Sequence, residues 1–528
     1  MRSFHFPGRS TVHARRAMVA TSHPSASLTA IEILKKGGNA VDAAIATIAV
    51  LCVVEPAMTG IGGDCFAILS KPGQKLIALN ASGKAPKAAT AAWYAKQGIG
   101  QIELQSAHAV TVPGAIDGWA RLLQDHGTMS FAQVLAPAID FADNGFVVAP
   151  RVAHDWAKAV HKIKMNKAAA KHLLKDGRSP RVGEVFTFKA LARTLKAIAR
   201  DGRDGFYGGE VAADMVAELK ALGGLHTLAD FAAQSCAYDD TIQVGYNGVD
   251  LHELPPNMHG IVALIMLKML AKLGRLSDSP TAPERYHVMM EAARLAYGMR
   301  DRFVADPAMV KVPVDFMLAD KTIDTLVKRI DRKRVTPDLG PMPEPKGSDT
   351  VCFSIADENG MVVSFINSLF ADFGSGLAAP KSGVVFHNRG QGFVLDPRHP
   401  NCIAPGKRPM HTLVPAMAMQ GGEPLAAFGV MGAAFQPIGH VYIMTNMLDY
   451  GLDPQEAIDC PRMFFEGGEI LMESGIPAAT AEQMALMGHK IALRAIPWGG
   501  AQMVAFDRAN GTLIGASDAR KDGLALGY

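Results

Sequence analysis

The chain has 528 residues, with 53 Lys and Arg against 50 Asp and Glu and a formal net charge of +3. Mixed charge without a large basic field disfavours a nucleic-acid partner. The longest apolar run, 43–54, is well short of the roughly 20 residues that span a bilayer, so a core helix is expected there and no membrane partner.

Length allows two to four domains, or one large layered domain with insertions. The six cysteines are scattered without a CxxC pair, as reduced thiols in a cytoplasmic protein would be. Residues 1–21 lack the apolar stretch of a secretory signal, so cytoplasmic localisation is expected.

In chain order, residues 24–36 read as a helix with Ser25 or Ser27 near its cap and Gly37-Gly38 stopping it. Asn39 can cap a second helix, 40–54, apolar nearly all round and therefore buried. The loop Gly60-Ile61-Gly62-Gly63-Asp64 follows. It lacks the third glycine of GxGxxG and the Lys-Ser/Thr of a P-loop, and a helix precedes it where those motifs need a strand. A tight loop packed against other backbone is expected. A strand at 76–80, a helix ending at Gly127 and a helix from Ser130 to about 143 come next.

His154 and His161 lie on one helix face without a carboxylate partner, a weak metal pattern. No metal or organic cofactor is expected. Helices at 187–200 and 209–222 lead to a hairpin, 241–246 and 249–253, joined by Asn247-Gly248 as a type I′ turn requires. Two further helices end at about 273 and run over 283–303.

A breaker-rich connector follows, with Pro337, Gly340, Pro341, Pro343, Pro345 and Gly347. Beyond it, Val351, Phe353 and Ile355 alternate with Cys352, Ser354 and Ala356 as in a β-strand. Thr350 stands at the joint. A cut before it would give one residue a hydroxyl nucleophile and a free α-amine as its base. Such an amine, with a pKa of about 8, accepts a proton near neutrality. Thr350 would equally serve as a plain strand starter. From here strands dominate: 350–356 and 361–367, then 383–387, 425–430, 469–472, 490–495, 501–506 and 512–515, with a helix at about 437–451. Helices before and between strands favour a layered α+β architecture.

Residues 350–376, Gly406-Lys407-Arg408-Pro409, the stretch 429–432 and Gly515-Ala516-Ser517-Asp518 together resemble the γ-glutamyltranspeptidase family. Gly37-Gly38-Asn39-Ala40-Val41-Asp42, Gly60-Ile61-Gly62-Gly63 and Val112-Pro113-Gly114 extend the resemblance over nearly the whole chain. It implies an N-terminal-nucleophile hydrolase, a four-layer αββα sandwich made as a precursor that cuts itself. The pieces would be 1–349, the large α subunit ending in the processing linker, and 350–528, the small β subunit. They would stay together as an αβ heterodimer, and whether such units pair further is open.

The resemblance makes Thr350 the nucleophile and Asp349–Thr350 the processed bond. Ser368 matches a family threonine that hydrogen-bonds the nucleophile. Gly432 and Ala433 match the pair whose N–H groups form the oxyanion hole. Other positions depart from the family. Its arginine for the glutamyl α-carboxylate falls at Ser82, and its aspartate for the α-amino group at Gly392. A neighbouring glutamine is Arg389, its Ser-Ser pair is His411-Thr412, and an asparagine near the nucleophile is Phe370. Losing both charged grips should weaken glutamyl binding by several kcal/mol.

Arg389-Gly390 with His411-Thr412 is similar to a branch that includes oxamate amidohydrolases. Arg389, His411 and Thr412 are therefore the expected substrate contacts, for a small anionic amide. The alternatives are a true γ-glutamyltransferase and glutathione hydrolase with a rebuilt pocket, and a non-catalytic scaffold.

Overall fold

Alternation after Thr350 sets the layers. In the strand Asp349–Ala356, Val351, Phe353 and Ile355 enter one apolar cluster while Cys352 and Ala356 enter another. The structure is a computed structural model that describes residues 8–340 and 349–528, without the side chain of Asp349. Pro341, Pro343, Pro345 and Gly347 of the expected connector therefore lie outside the described residues.

The sheet containing Thr350 runs Leu524–Gly527, Met18–Thr21, Asp349–Ala356, Val362–Phe370, Asp64–Ser70, Ile77–Ala81, Ala237–Asp239, every neighbour antiparallel. A second antiparallel sheet runs Val12–Ala14, Thr512–Ser517, Gly500–Asp507, Glu423–Met431, Pro415–Gln420, Val249–Glu253, Ile242–Tyr246. Between them Cys352 and Ile366 of the first meet Met417, Ala427, Met431 and Val504 of the second.

Helices of the N-terminal part, among them Pro24–Lys35 and Ala40–Val54, cover the outer face of the first sheet. Ile261–Leu273, Pro283–Phe303 and Gln436–Leu448 cover the second. The result is an α+β protein folded as a four-layer αββα sandwich. Among the described residues no helix is long and apolar enough to cross a membrane.

Local chemistry accounts for the element ends that frame the site. Asn39 and Asp42 form a reciprocal capping box on Ala40–Val54, a helix buried along its whole length. His23 caps Pro24–Lys35, not Ser25 or Ser27: its Nδ1 accepts the Ser25 N–H at 3.2 Å, and Pro24 fills the first helical position. Ser27 is instead buried on Thr21 Oγ1 and the Leu524 carbonyl. Asn247 and Gly248 take φ of 48° and 81°, as their hairpin turn requires.

The glycine loop is packed against backbone as expected. A Cβ on Gly62 would stand 2.1 Å from the Val385 carbonyl, and one on Gly63 would stand 2.2 Å from that of Ser368. The strand expected at 383–387 is only a single bridge, Ala378 to Val385. Its backbone bonds elsewhere, His387 N–H to the Gly62 carbonyl and the Phe386 carbonyl to Ser375 N–H.

Candidate active site

Thr350 lies at a register shift between Asp349 and Val351, where the strand pairs with Val362–Phe370. Such irregularities re-aim a side chain. Thr350 is buried, and its hydroxyl donates to Ser368 Oγ at 3.2 Å. Ser368 Oγ also accepts the Phe370 N–H at 2.7 Å. Phe370 has φ +83°, a left-handed conformation that costs a residue with a Cβ on the order of 1–3 kcal/mol. Strain of that size sits two residues from Ser368.

The second sheet contributes a turn. Glu423–Met431 passes into Gln436–Leu448 through Gly432 at φ 125° and Ala433 at φ 47°. The Phe435 N–H closes the turn on the Gly432 carbonyl at 2.9 Å. Tyr297, from the helix Pro283–Phe303, donates its hydroxyl to the Ala434 carbonyl. Alanine thus adopts the left-handed geometry its glycine counterpart would take without a Cβ penalty.

Beside these elements lies a cavity of about 580 Å³. Phe370, Arg389, Gly392, Thr412 and Ala434 line it. Gln101, Ile102, Arg300 and Asp301 line it as well. Arg389 is buried at 2 % exposure, its Nη1 donating to Thr412 Oγ1 at 2.8 Å and its guanidinium lying 4.1 Å over the Phe370 ring. Its Nη2 has no hydrogen-bond partner among the described residues. Burial lowers the pKa of this group and the Asp64 charge opposes that shift. It stays cationic at neutral pH. A buried cation with an unused donor is costly until an anion arrives.

His411 stands one layer back. Its Nε2 lies 3.0 Å from Asp64 Oδ2, its Nδ1 accepts the Leu413 N–H at 3.3 Å, and its ring meets Phe66 edge-on at 4.5 Å. The Leu413 bond fixes the proton on Nε2, which donates to Asp64. Burial and the Arg389 charge hold His411 down at about 3, so it is neutral. It is not among the cavity walls, and both its nitrogens are taken. In this geometry the His411 ring is held beside the segment carrying Thr412, one layer behind the cavity wall that Thr412 lines.

Asp64 is the hub that sequence reasoning missed. Its Oδ1 accepts the N–H groups of Gly83 and Gly114 at 2.9 and 3.0 Å. Burial raises its pKa, but His387, His411 and Arg389 more than offset that and hold it below the ordinary carboxylate range. The available signal was one acid at the point where the glycine loop enters an apolar strand. Tyr297, Arg300 and Asp301 gave no local signal. Ser82 is buried away from the cavity walls, accepting from Asn257 Nδ2 at 3.3 Å, whereas Gly392 lines them.

Comparison with known proteins extends these observations. The Gamma-glutamyltranspeptidase family profile matches residues 26–528. A glutathione hydrolase-like proenzyme of Bacillus subtilis (strain 168) is 34% identical over 530 residues, covering 98% of this chain and 99% of its own. The oxamate amidohydrolase proenzyme of Klebsiella pneumoniae is 33% identical over 531 residues, covering 97% and 98%. The crystal structure of cephalosporin acylase from Bacillus halodurans superposes with a TM-score of 0.92 at 36% identity, over 100% of this chain and 99% of that one. The αββα sandwich is accordingly that of the N-terminal-nucleophile hydrolases.

Proposed function

This chain belongs to the γ-glutamyltranspeptidase family, and on that premise we propose that it is a self-processing amidohydrolase for an amide whose acyl half carries a carboxylate. Cleavage of Asp349–Thr350 frees the Thr350 amine. That amine takes the hydroxyl proton as Thr350 Oγ1 attacks the amide carbonyl. The oxyanion forms against the N–H groups of Gly432 and Ala433, each such donor contributing on the order of a hundredfold or more in rate. The amine half leaves with the proton, and water resolves the acyl-enzyme. Ser368 orients the nucleophile, and Arg389 with Thr412 grips the acyl carboxylate. The observation that carries this reading is the buried Thr350–Ser368 hydroxyl pair, 3.2 Å apart at the head of an inner strand.

Oxamate-like amides fit the Arg389 side because they are small and anionic. The oxamate amidohydrolase relative supports that class, and the acylase and glutathione hydrolase relatives support longer acyl groups. A γ-glutamyl substrate is the second reading, favoured by Asp301, a carboxylate in the same cavity that could meet an ammonium. Cytoplasmic residence and the αβ heterodimer belong to this proposal.

Intact mass of wild type beside Thr350→Ala tests it. The expected result is fragments 1–349 and 350–528 for wild type and an uncut variant. The matured protein is then screened on oxamate, glutamine, glutathione and glutaryl anilides. A folded wild type that stays whole leaves Thr350 without a free amine, ends this mechanism and favours a scaffold. Glutathione turnover lost in both Arg389→Ala and Asp301→Asn moves the γ-glutamyl reading to first place.

A further inference from the structure

One face of the helix Pro283–Phe303 is polar where a buried helix face is normally apolar. His287, Glu291 and Arg294 stand at i, i+4 and i+7, so they lie one above the other on that face. His287 and Glu291 are fully buried and Arg294 is 9 % exposed. None of the three lines the cavity or touches the Thr350–Ser368 pair.

All three bind the backbone of one segment, in order along it. His287 Nε2 donates to the Asp331 carbonyl at 2.7 Å. A carbonyl only accepts, so the proton sits on Nε2, and Nδ1 of the neutral ring is left to accept. His489 Nε2 donates to that Nδ1 at 2.7 Å and braces the ring from the opposite side. One turn on, Glu291 Oε2 accepts the Thr336 N–H at 2.8 Å. Arg294 Nη1 and Nη2 donate to the carbonyls of Thr336 and Gly340 at 3.2 and 3.0 Å. Glu291 Oε1 also meets Arg294 Nη1 at 3.3 Å, so the two charges neutralise each other.

An apolar face would stabilise the fold as well, because a buried ion pair gains little over packed hydrophobic side chains. The polar face supplies a fixed position for the chain just ahead of Thr350. Among the described residues the next backbone pairing after Gly340 is Asp349 with Phe370, and eight residues, 341–348, separate the two.

We propose that His287, Glu291 and Arg294 are positioning residues for self-processing: they clamp the connector as far as Gly340, so that Asp349 is presented to Thr350 at the end of a short tether. This rests on the cleavage proposed above. The entropy of closing a tether of n residues grows as (3/2)RT ln n, so pairing at Asp349 becomes rarer as the tether lengthens. Length added downstream of the clamp therefore slows the cut, and length added upstream of it does not.

The test times the cut in the full chain, made in a cell-free translation stopped with chloramphenicol, by the appearance of fragments 1–349 and 350–528. A Gly-Ser insert of about twenty residues between Gly340 and Pro341 should slow cleavage about sixfold. The same insert between Lys328 and Arg329, upstream of the clamp, should leave the rate unchanged. Arg294→Met frees Gly340 and lengthens the tether to about twelve residues, so it should slow cleavage about twofold, and Glu291→Leu added to it should slow it further. Arg294→Lys, which can still reach one carbonyl, should fall between wild type and Arg294→Met. Urea midpoints of the same proteins show whether a slow variant is merely a weakly folded one.

Equal rates for the two inserted chains, whether both slow or both unchanged, overturn the clamp. So does Arg294→Met cut at the wild-type rate. A wild type that is never cut overturns the self-processing reading and the clamp with it, whereas a wild type cut normally beside indifferent variants overturns the clamp alone.

Discussion

Replacing Arg389 by methionine separates the cost of this cation from its use. The substitution keeps a flexible stem and removes the charge. In the folded protein it gives up the 2.8 Å bond to Thr412 Oγ1, worth about 1.5–3 kcal/mol for a charged donor. It also gives up the stacking on Phe370 at 4.1 Å, worth about 0.5–2 kcal/mol. Against this stands the several kcal/mol of holding a guanidinium out of water with Nη2 unpaired. The opposing effects are of similar size, so stability should change by less than about 2 kcal/mol. Binding should respond very differently. A fork of two charge-assisted bonds to a carboxylate contributes about 3–6 kcal/mol, so glutarate affinity should fall by roughly 10²–10⁴. Intact mass, a urea melt and calorimetry read the three consequences, and the chain should still be cut because Arg389 lies outside the Thr350–Ser368 pair. A loss of more than about 3 kcal/mol of stability with glutarate binding unchanged would make Arg389 a structural cation and refute the reasoning.

Ser368→Ala removes the partner of Thr350 Oγ1 and the acceptor of the Phe370 N–H. Cleavage and kcat should both slow, on the order of 10–100-fold, while Ser368→Thr retains most of each. Ala433→Gly relieves a Cβ at φ 47° and should raise the urea midpoint by about 1 kcal/mol of stability with activity retained; a lower midpoint would mean the turn is unstrained. Burial and the Arg389 charge hold His411 near 3, and burial holds His226 near 4. Both take up protons in the unfolded chain below about 6.5 but not in the folded one until much lower. Stability should therefore be full above pH 6.5 and fall as the pH drops towards 3–4, by about 1.4 kcal/mol per pH unit for each histidine. Urea melts from pH 7.5 to 4.5 check this, with His411→Gln flattening the slope.

The layers were legible because their signals are local. Alternation over residues 351–356 needs only period-two patterning, and the Asn39–Asp42 cap and the Asn247-Gly248 turn need only neighbours in sequence. The cavity was only half legible. Arg389 and Thr412 came through resemblance, but the ring under Arg389, the strain at Phe370 and the hub at Asp64 are contacts between distant residues. His411 illustrates the limit. A histidine beside a threonine in a family motif suggests a contact, and only the packing of Phe66 and Asp64 around it shows a ring turned inward. The strand expected at 383–387 fails for a similar reason: its backbone bonds are spent on the glycine loop and on Ser375, a tertiary choice that propensity does not encode.

Topology explains how a cut at Asp349–Thr350 could free a nucleophile without dismantling the fold. Both sheets mix strands from before and after Thr350. Asp349–Ala356 lies between Met18–Thr21 and Val362–Phe370, and Val362–Phe370 pairs in turn with Asp64–Ser70. In the second sheet Val249–Glu253 pairs with Pro415–Gln420. Buried polar contacts also cross the division, Glu253 to His440 at 2.6 Å and Tyr297 to the Ala434 carbonyl. Separating the pieces would expose two sheet interiors and orphan these groups, so they stay joined by the same core that folded the chain. The connector is pinned upstream of the cut: Arg294 donates to the carbonyls of Thr336 and Gly340 at 3.2 and 3.0 Å, and Glu291 accepts the Thr336 N–H at 2.8 Å.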